Sequence, residues 1–385
     1  MDSPSFAPAS STSAASPRFR VADVVRRFGA AFRAGRTLTR EQDKALRDIA
    51  QCRTASLGGH IAVYGCGHEV TAYNSCRNRH CPRCLAGKSF EWVEQKERDL
   101  LPVPYFHVVF TLPEALLSIP PVARPALYEA LFAASSSTLL SFGQKNLGGQ
   151  LGFLSVLHTW GQTLTLHPHV HVVVAGGAFD VRSRRFNTSR SRSLFPVRAL
   201  SSVFRGRMLA LLRRRGLPEV DAATLDQVLS AAARTPWVVY AKPPFGGPAQ
   251  VLRYLARYTH RVAIGDQRIV AVDDATVSFT WKDYRANHER KVMRLSGTEW
   301  LRRFSEHALP RGFTRLRSYG FLVNARKSER LPLIRELLGA QAPEPSASTT
   351  EVVQPAACRC PVCGVGLLVQ RRSVVASGAP RQDSS

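Results

Sequence analysis

The chain has 385 residues, enough for one large domain or two to three modest ones. Its 53 Lys and Arg stand against 28 Asp and Glu, a formal net charge of +25 that points to a polyanionic partner, because dense cations displace the counterions condensed on phosphate backbones. No run approaches the roughly 18 consecutive apolar residues of a membrane span, and no secretory signal is visible, so a reducing cytoplasm is expected and the eight cysteines are read as metal ligands or buried thiols rather than disulfides.

Residues 1–17, mostly Ser, Ala and Pro, read as a disordered tail. Phe19 to Ile49 carries helical periodicity, with Val21, Val24, Val25 and Phe28 on one side and Arg on the other. Cysteine and histidine then crowd into Cys52 to Cys84. Cys81-Pro82-Arg83-Cys84 is a knuckle, a tight turn that brings two thiolates to one ion, and tetrahedral zinc needs four ligands. Cys66, Cys81 and Cys84 are the first choices, Cys76 the next, and Cys52, His60, His68 and His80 supply further donors. One Zn²⁺ is expected, with donors to spare for a second, in a structural role that shapes a DNA-binding module. A Glu- and Lys-rich helix from Ser89 to about Leu101, stopped by Pro102 and Pro104, closes an N-terminal helical and zinc-binding domain over 18–100.

From Tyr105 the pattern changes to alternation. In Tyr105 to Leu112, Phe106, Val108, Phe110 and Leu112 face one way, while Tyr105, His107, Val109 and Thr111 face the other. Strand-like runs recur at 163–174, 237–242, 268–273 and 276–282, with helical stretches between them. This order implies an α+β fold with a largely antiparallel sheet. In Leu164 to Val174 the apolar Leu164, Leu166, Val170, Val172 and Val174 share one face, and His167, His169 and His171 share the other. Pro168 marks an edge or a bulge. Alternate imidazoles can converge on one ion, and the pair His169 and His171 leaves positions open for substrate and water, the mark of a working site. Mg²⁺ or Mn²⁺ would suit imidazole with phosphate chemistry.

Pro248 can open a helix on which Tyr254 and Tyr258 lie at i and i+4, beside a stripe of Arg253, Arg257 and Arg261. By themselves two tyrosines on a basic helix are ordinary packing. Beside a metal site they become nucleophiles: a phenol with a pKa near 10 needs an activated target, and a cation on the scissile phosphate supplies that. The arginines would hold backbone phosphates. After Leu338 the composition becomes Ala, Pro, Ser and Thr, so 101–338 reads as the catalytic domain and 339–385 as a flexible tail. The tail carries CRCPVCG (358–364), half a zinc ribbon with no mate in sight, which either binds metal across a homodimer or is vestigial.

Taken together, CRTASLGGH (52–60), YNSCRNRHCPRC (73–84), FHVVFTLP (106–113), HTWGQTLTLHPHVH (158–171), YLARYTHRVAI (254–264) and GFTRLRSYGFL (312–322) resemble, in order, the rolling-circle insertion-sequence transposases of the IS-ninety-one family, within the HUH endonuclease superfamily. The resemblance covers roughly residues 45 to 330. It implies a palm with a central antiparallel sheet flanked by helices and preceded by a small zinc-binding domain. It also implies that His169 and His171 form the metal-binding pair and that Tyr254 and Tyr258 are the catalytic tyrosines. Such enzymes nick single-stranded DNA at element ends, leaving a 5′-phosphotyrosine and a free 3′-hydroxyl. Val63 stands where the family pattern often has a cysteine, so His60 or Cys76 has to complete that zinc, or the zinc is weakened. The third ligand of the catalytic metal is open among His167, His107 and Gln162. No GxxxxGK[ST] run is present, so strand displacement would be borrowed from host replication or helicase machinery. A zinc-dependent DNA-binding protein with a decayed site explains the charge and cysteines but leaves the histidine strand unused. A hydrolase working through metal-activated water would want carboxylate ligands, and none lies near His167 to His171. A tyrosine recombinase needs no metal.

Overall fold

The computed structural model describes residues 18–85, 99–189, 194–242, 263–340 and 359–376. Helical periodicity at the start resolves into two helices, because Gly35 ends the first. Helix α1 (Val21–Ala34) opens with Asp23 accepting from the Arg20 backbone N–H at 2.8 Å, and the buried carboxylate of Asp266 accepts from Val21 at 2.9 Å. Helix α2 (Arg40–Gln51) starts in a reciprocal cap in which Thr39 and Gln42 each satisfy the other's backbone N–H. A hairpin, β1 (Gly59–Tyr64) and β2 (Glu69–Tyr73), and the single turn α3 (Pro82–Leu85) complete the N-terminal part.

The palm begins with β3 (Tyr105–Thr111), followed by α4 (Arg124–Leu147), β4 (Gln150–Trp160), β5 (Leu166–Asp180) and β6 (Arg185–Thr188). Helices α5 (Val197–Arg215) and α6 (Ala222–Arg234) lead to β7 (Val239–Lys242). Beyond residue 262 come β8 (Ile269–Val272), β9 (Thr276–Asp283), β10 (Glu289–Ser296), α7 (Gly297–Ser305), β11 (Leu316–Gly320) and α8 (Asn324–Leu337). A last strand, β12 (Leu368–Val374), follows. The central sheet runs β11-β4-β5-β3-β7, with β6 on the end of β5, and its pairs are antiparallel. The fold is therefore α+β, an antiparallel palm flanked by helices and preceded by a smaller N-terminal part.

One face of this sheet, with Phe106, Val108, Phe110, Val170, Val172 and Val174, is covered by α4, α5 and α6. The other face carries two separate apolar patches. Near one end, Tyr105, Val173 and Ala175 pack with Leu331 and Ile334 of α8. Near the other, Leu164 joins a core made by α1, α2, β8, β9 and α7, centred on Phe279, Trp300, Leu301 and Phe304. The histidines occupy the space between.

The C-terminal segment departs from the expected flexible tail, since β12 pairs antiparallel along β1 over the described residues 368–374. The expected helix over 89–101 lies almost wholly outside the described residues, and so does the tyrosine helix. Among the described residues no helix is long and apolar enough to cross a membrane.

Candidate functional site

Pro168 has no N–H to give to a ladder, and the sheet gives way there. His158 of β4 is opposite His169, but Trp160 is opposite Leu166, so β5 carries one extra residue at His167–Pro168. This bulge breaks the alternation. Leu164 leaves the Val170 face for the other core, and His167 turns outward into solvent. His167 thus departs from the expected row, and its place is taken by His158, which the cross-strand register brings beside His169. The ligating nitrogens of His158, His169 and His171 all lie within 4.8 Å of one another. His158 is held by stacking on Trp160, with ring centroids 4.7 Å apart.

The hydrogen bonds around this triad orient it. His169 Nδ1 donates to the His167 carbonyl at 2.6 Å, which leaves its Nε2 with a lone pair. His171 Nδ1 lies 2.9 Å from Nε2 of the buried His107. Burial first, then the nearby Lys242 and His169, push the His107 pKa down to about 3, so His107 is neutral and able to accept from His171 Nδ1. Burial also lowers His169 to about 4, which keeps it in the ligating form. The Nε2 atoms of His169 and His171 then face each other at 3.0 Å. With metal–nitrogen bonds of about 2.1 Å, that separation spans one edge of an octahedron. The donor set therefore fits a divalent cation. Of the three residues considered as third ligand, none takes that place. His107 sits behind His171, His167 contributes its carbonyl, and Gln162 is engaged with Tyr284 and Lys282 of the β9 region.

A second centre lies in the N-terminal part. Cys52 at the end of α2, Cys76 after β2, and Cys81 and Cys84 of the knuckle converge, all sulfurs lying within 4.8 Å of one another. Three of the sulfur separations are 3.6 Å, close to the edge of about 3.8 Å in a tetrahedron of thiolates with bonds of about 2.3 Å. Hydrogen bonding from Cys76 pulls the Cys81 thiol down to about 5 despite its burial, while burial pushes Cys52 up to about 11. Thiols this crowded are held in the shape that a soft cation takes up.

The sequence expectation is corrected at three positions. Cys66 is not part of this cluster but lies with Cys360 and Cys363 of the C-terminal segment. Cys52, ranked last among the cysteines, is inside it. His80 is a fixing residue: its Nε2 accepts from the Leu309 N–H at 3.2 Å, and burial holds its pKa down near 3. Its neighbour Arg79 donates to the Phe313 carbonyl at 2.8 Å, so the RNRH stretch fastens the knuckle onto the palm. His60 lies on β1 outside both clusters. Tyr254, Tyr258, Arg253, Arg257 and Arg261 lie outside the described residues.

Comparison with known proteins adds the family. A model described as "Putative transposase" matches residues 152–329, and one described as "Transposase zinc-binding domain" matches 24–112. The protein named "Putative transposase y4qJ" from Sinorhizobium fredii is 42% identical over 375 residues, covering 91% of this chain and 94% of the relative. The "Transposase for insertion sequence element IS801" of Pseudomonas savastanoi pv. phaseolicola is 28% identical over 324 residues, covering 79% and 78%. No solved structure gave a significant match. The chain belongs to the IS-ninety-one family of insertion-sequence transposases, enzymes that act on DNA and carry a zinc-binding domain on the N-terminal side.

Proposed function

We propose that this transposase nicks and transfers single-stranded DNA at element ends through a 5′-phosphotyrosine. The observation that carries the reading is the convergence of His158, His169 and His171, with the ligating nitrogens of His169 and His171 oriented by the His167 carbonyl and by His107. A divalent cation held there, Mg²⁺ or Mn²⁺, would polarise a scissile phosphate. The described residues on either side support the tyrosines as partners: Lys242, at the end of β7, is the ladder partner of His107, and Ala263 and Ile264 are buried in the core that Leu164 joins.

In the proposed step, Oη of Tyr254 or Tyr258 forms a bond to phosphorus as the bond from phosphorus to the 3′ oxygen breaks. The phenolic proton ends on that oxygen, giving the free 3′-hydroxyl. Attack of a 3′-hydroxyl on the phosphotyrosine reverses the step and rejoins strands without ATP. Arg253, Arg257 and Arg261 would bind the backbone phosphates. Zn²⁺ would be held by Cys52, Cys76, Cys81 and Cys84 in a structural role.

The test is cleavage of single-stranded oligonucleotides spanning the element ends, scored for covalent protein–DNA adducts on a denaturing gel. A metal-dependent adduct is expected from the natural chain. It should be lost both in His158→Ala and in the Tyr254→Phe, Tyr258→Phe double variant. Tight binding without adduct under any divalent metal would instead favour a zinc-dependent DNA-binding protein.

A further inference from the structure

We propose that Cys66, Cys360 and Cys363 bind a second Zn²⁺, which clasps the C-terminal segment onto the β1–β2 hairpin. The three sulfurs lie within 4.8 Å of one another although they come from opposite ends of the chain. The donor class selects the metal: an all-thiolate set suits zinc and disfavours Mg²⁺ or Ca²⁺. Three thiolates leave one tetrahedral position for a further donor or water.

The local backbone is already built as a knuckle. Cys360 N–H donates to the Gly366 carbonyl at 2.6 Å, Gly364 N–H donates to the Cys360 carbonyl at 2.9 Å, and Gly366 N–H points at Cys363 Sγ at 3.3 Å. An amide aimed at the sulfur stabilises a thiolate there. Gly366 is seated directly on Cys66, since a Cβ at that position would come within 2.7 Å of its sulfur. Gly65 N–H completes the junction by donating to Leu367 O at 2.8 Å.

What holds β12 in place also argues for a cross-link. The strand is mostly exposed, with only its ends, Leu368 and Val374, half-buried. A seven-residue strand on the edge of a two-stranded hairpin buries too little apolar area to offset the entropy of ordering it. A single disulfide would leave one of three thiols over, whereas one zinc engages all three. The clasp stands apart from the tyrosine chemistry and does not depend on it.

Zinc per chain is to be measured on the full-length protein by mass spectrometry of the metal. Two ions are expected in the natural chain, and one in Cys66→Ser and in the Cys360→Ser, Cys363→Ser double variant. Cys81→Ser should keep the clasp ion. Two ions retained in the double variant, or a single ion in the natural chain that only Cys81→Ser removes, would overturn the proposal. Alkylation of the zinc-loaded natural chain checks the same point without a variant. Cys66 and Cys363 are exposed, so they should react with iodoacetamide at once unless liganded. Protection that a chelator abolishes is expected, and immediate reaction refutes the clasp.

Discussion

His107 touches no substrate in the proposed reaction, yet it decides what His171 can do. Its Nε2, 2.9 Å from His171 Nδ1, sets the tautomer that presents Nε2 to a cation. Replacing it with leucine should weaken Mn²⁺ binding by about 10- to 100-fold, the usual cost of losing such a partner. His107→Gln, whose amide oxygen can still accept, should recover most of the affinity. Calorimetric titration of Mn²⁺ reads both, and equal affinity for the leucine variant and the natural chain would remove the positioning role. His169 and His171 were readable from their spacing on an apolar strand. His158 was not, because β4 is buried on both faces and shows no alternation to mark it as a strand. Its place beside His169 is a matter of cross-strand register, which a single sequence does not carry. His167 fitted the period but lost its position to the bulge at Pro168, a residue whose warning was visible while its consequence was not.

At the scale of elements, the strands at 105–112, 163–174, 237–242, 268–273 and 276–282 were readable because each shows an apolar face. β11 was concealed: Leu316-Arg317-Ser318-Tyr319-Gly320 shows no apolar alternation, and four of the strand's five residues are half-buried. Its fixing residue is Gly320. With φ at +65°, a conformation that favours glycine, it lets β11 turn against β4 so closely that a Cβ would fall 1.5 Å from the Leu151 carbonyl oxygen. Gly320→Ala should therefore cost at least about 1–2 kcal/mol from the backbone conformation alone, with the overlap adding to it. Chemical denaturation should show a lower midpoint. An unchanged midpoint would mean that the strand relaxes freely and that the close approach carries no weight. Arg317 braces the same strand from its flank, pairing with Glu129 of α4 and lying 4.1 Å over the Phe132 ring.

At the scale of the molecule, the boundary read near residue 100 follows the change from helical to alternating pattern, but packing crosses it. The apolar stripe of α1, Val21, Val24, Val25, Phe28 and Phe32, is buried against Phe279, Trp300, Leu301 and Phe304, which lie in sequence between β7 and β11 of the palm. Gly297 is held so near Phe28 that a Cβ would lie 2.2 Å from its ring. A periodic pattern shows that a helix has a face to bury, and it does not say against what. If the shared core is as continuous as this, neither side of the sequence boundary folds alone. A fragment of 99–340 would leave Trp300 and Phe279 uncovered, an apolar patch of the kind that drives association. It should elute as aggregate or bind 8-anilinonaphthalene-1-sulfonate, whereas 18–376 should be cooperative in unfolding and silent to the dye. Were 99–340 instead monomeric, dye-silent and sharply two-state, the N-terminal helices would be an appended module. The fastening of the zinc knuckle by His80 and Arg79 would then be the principal tie between the two.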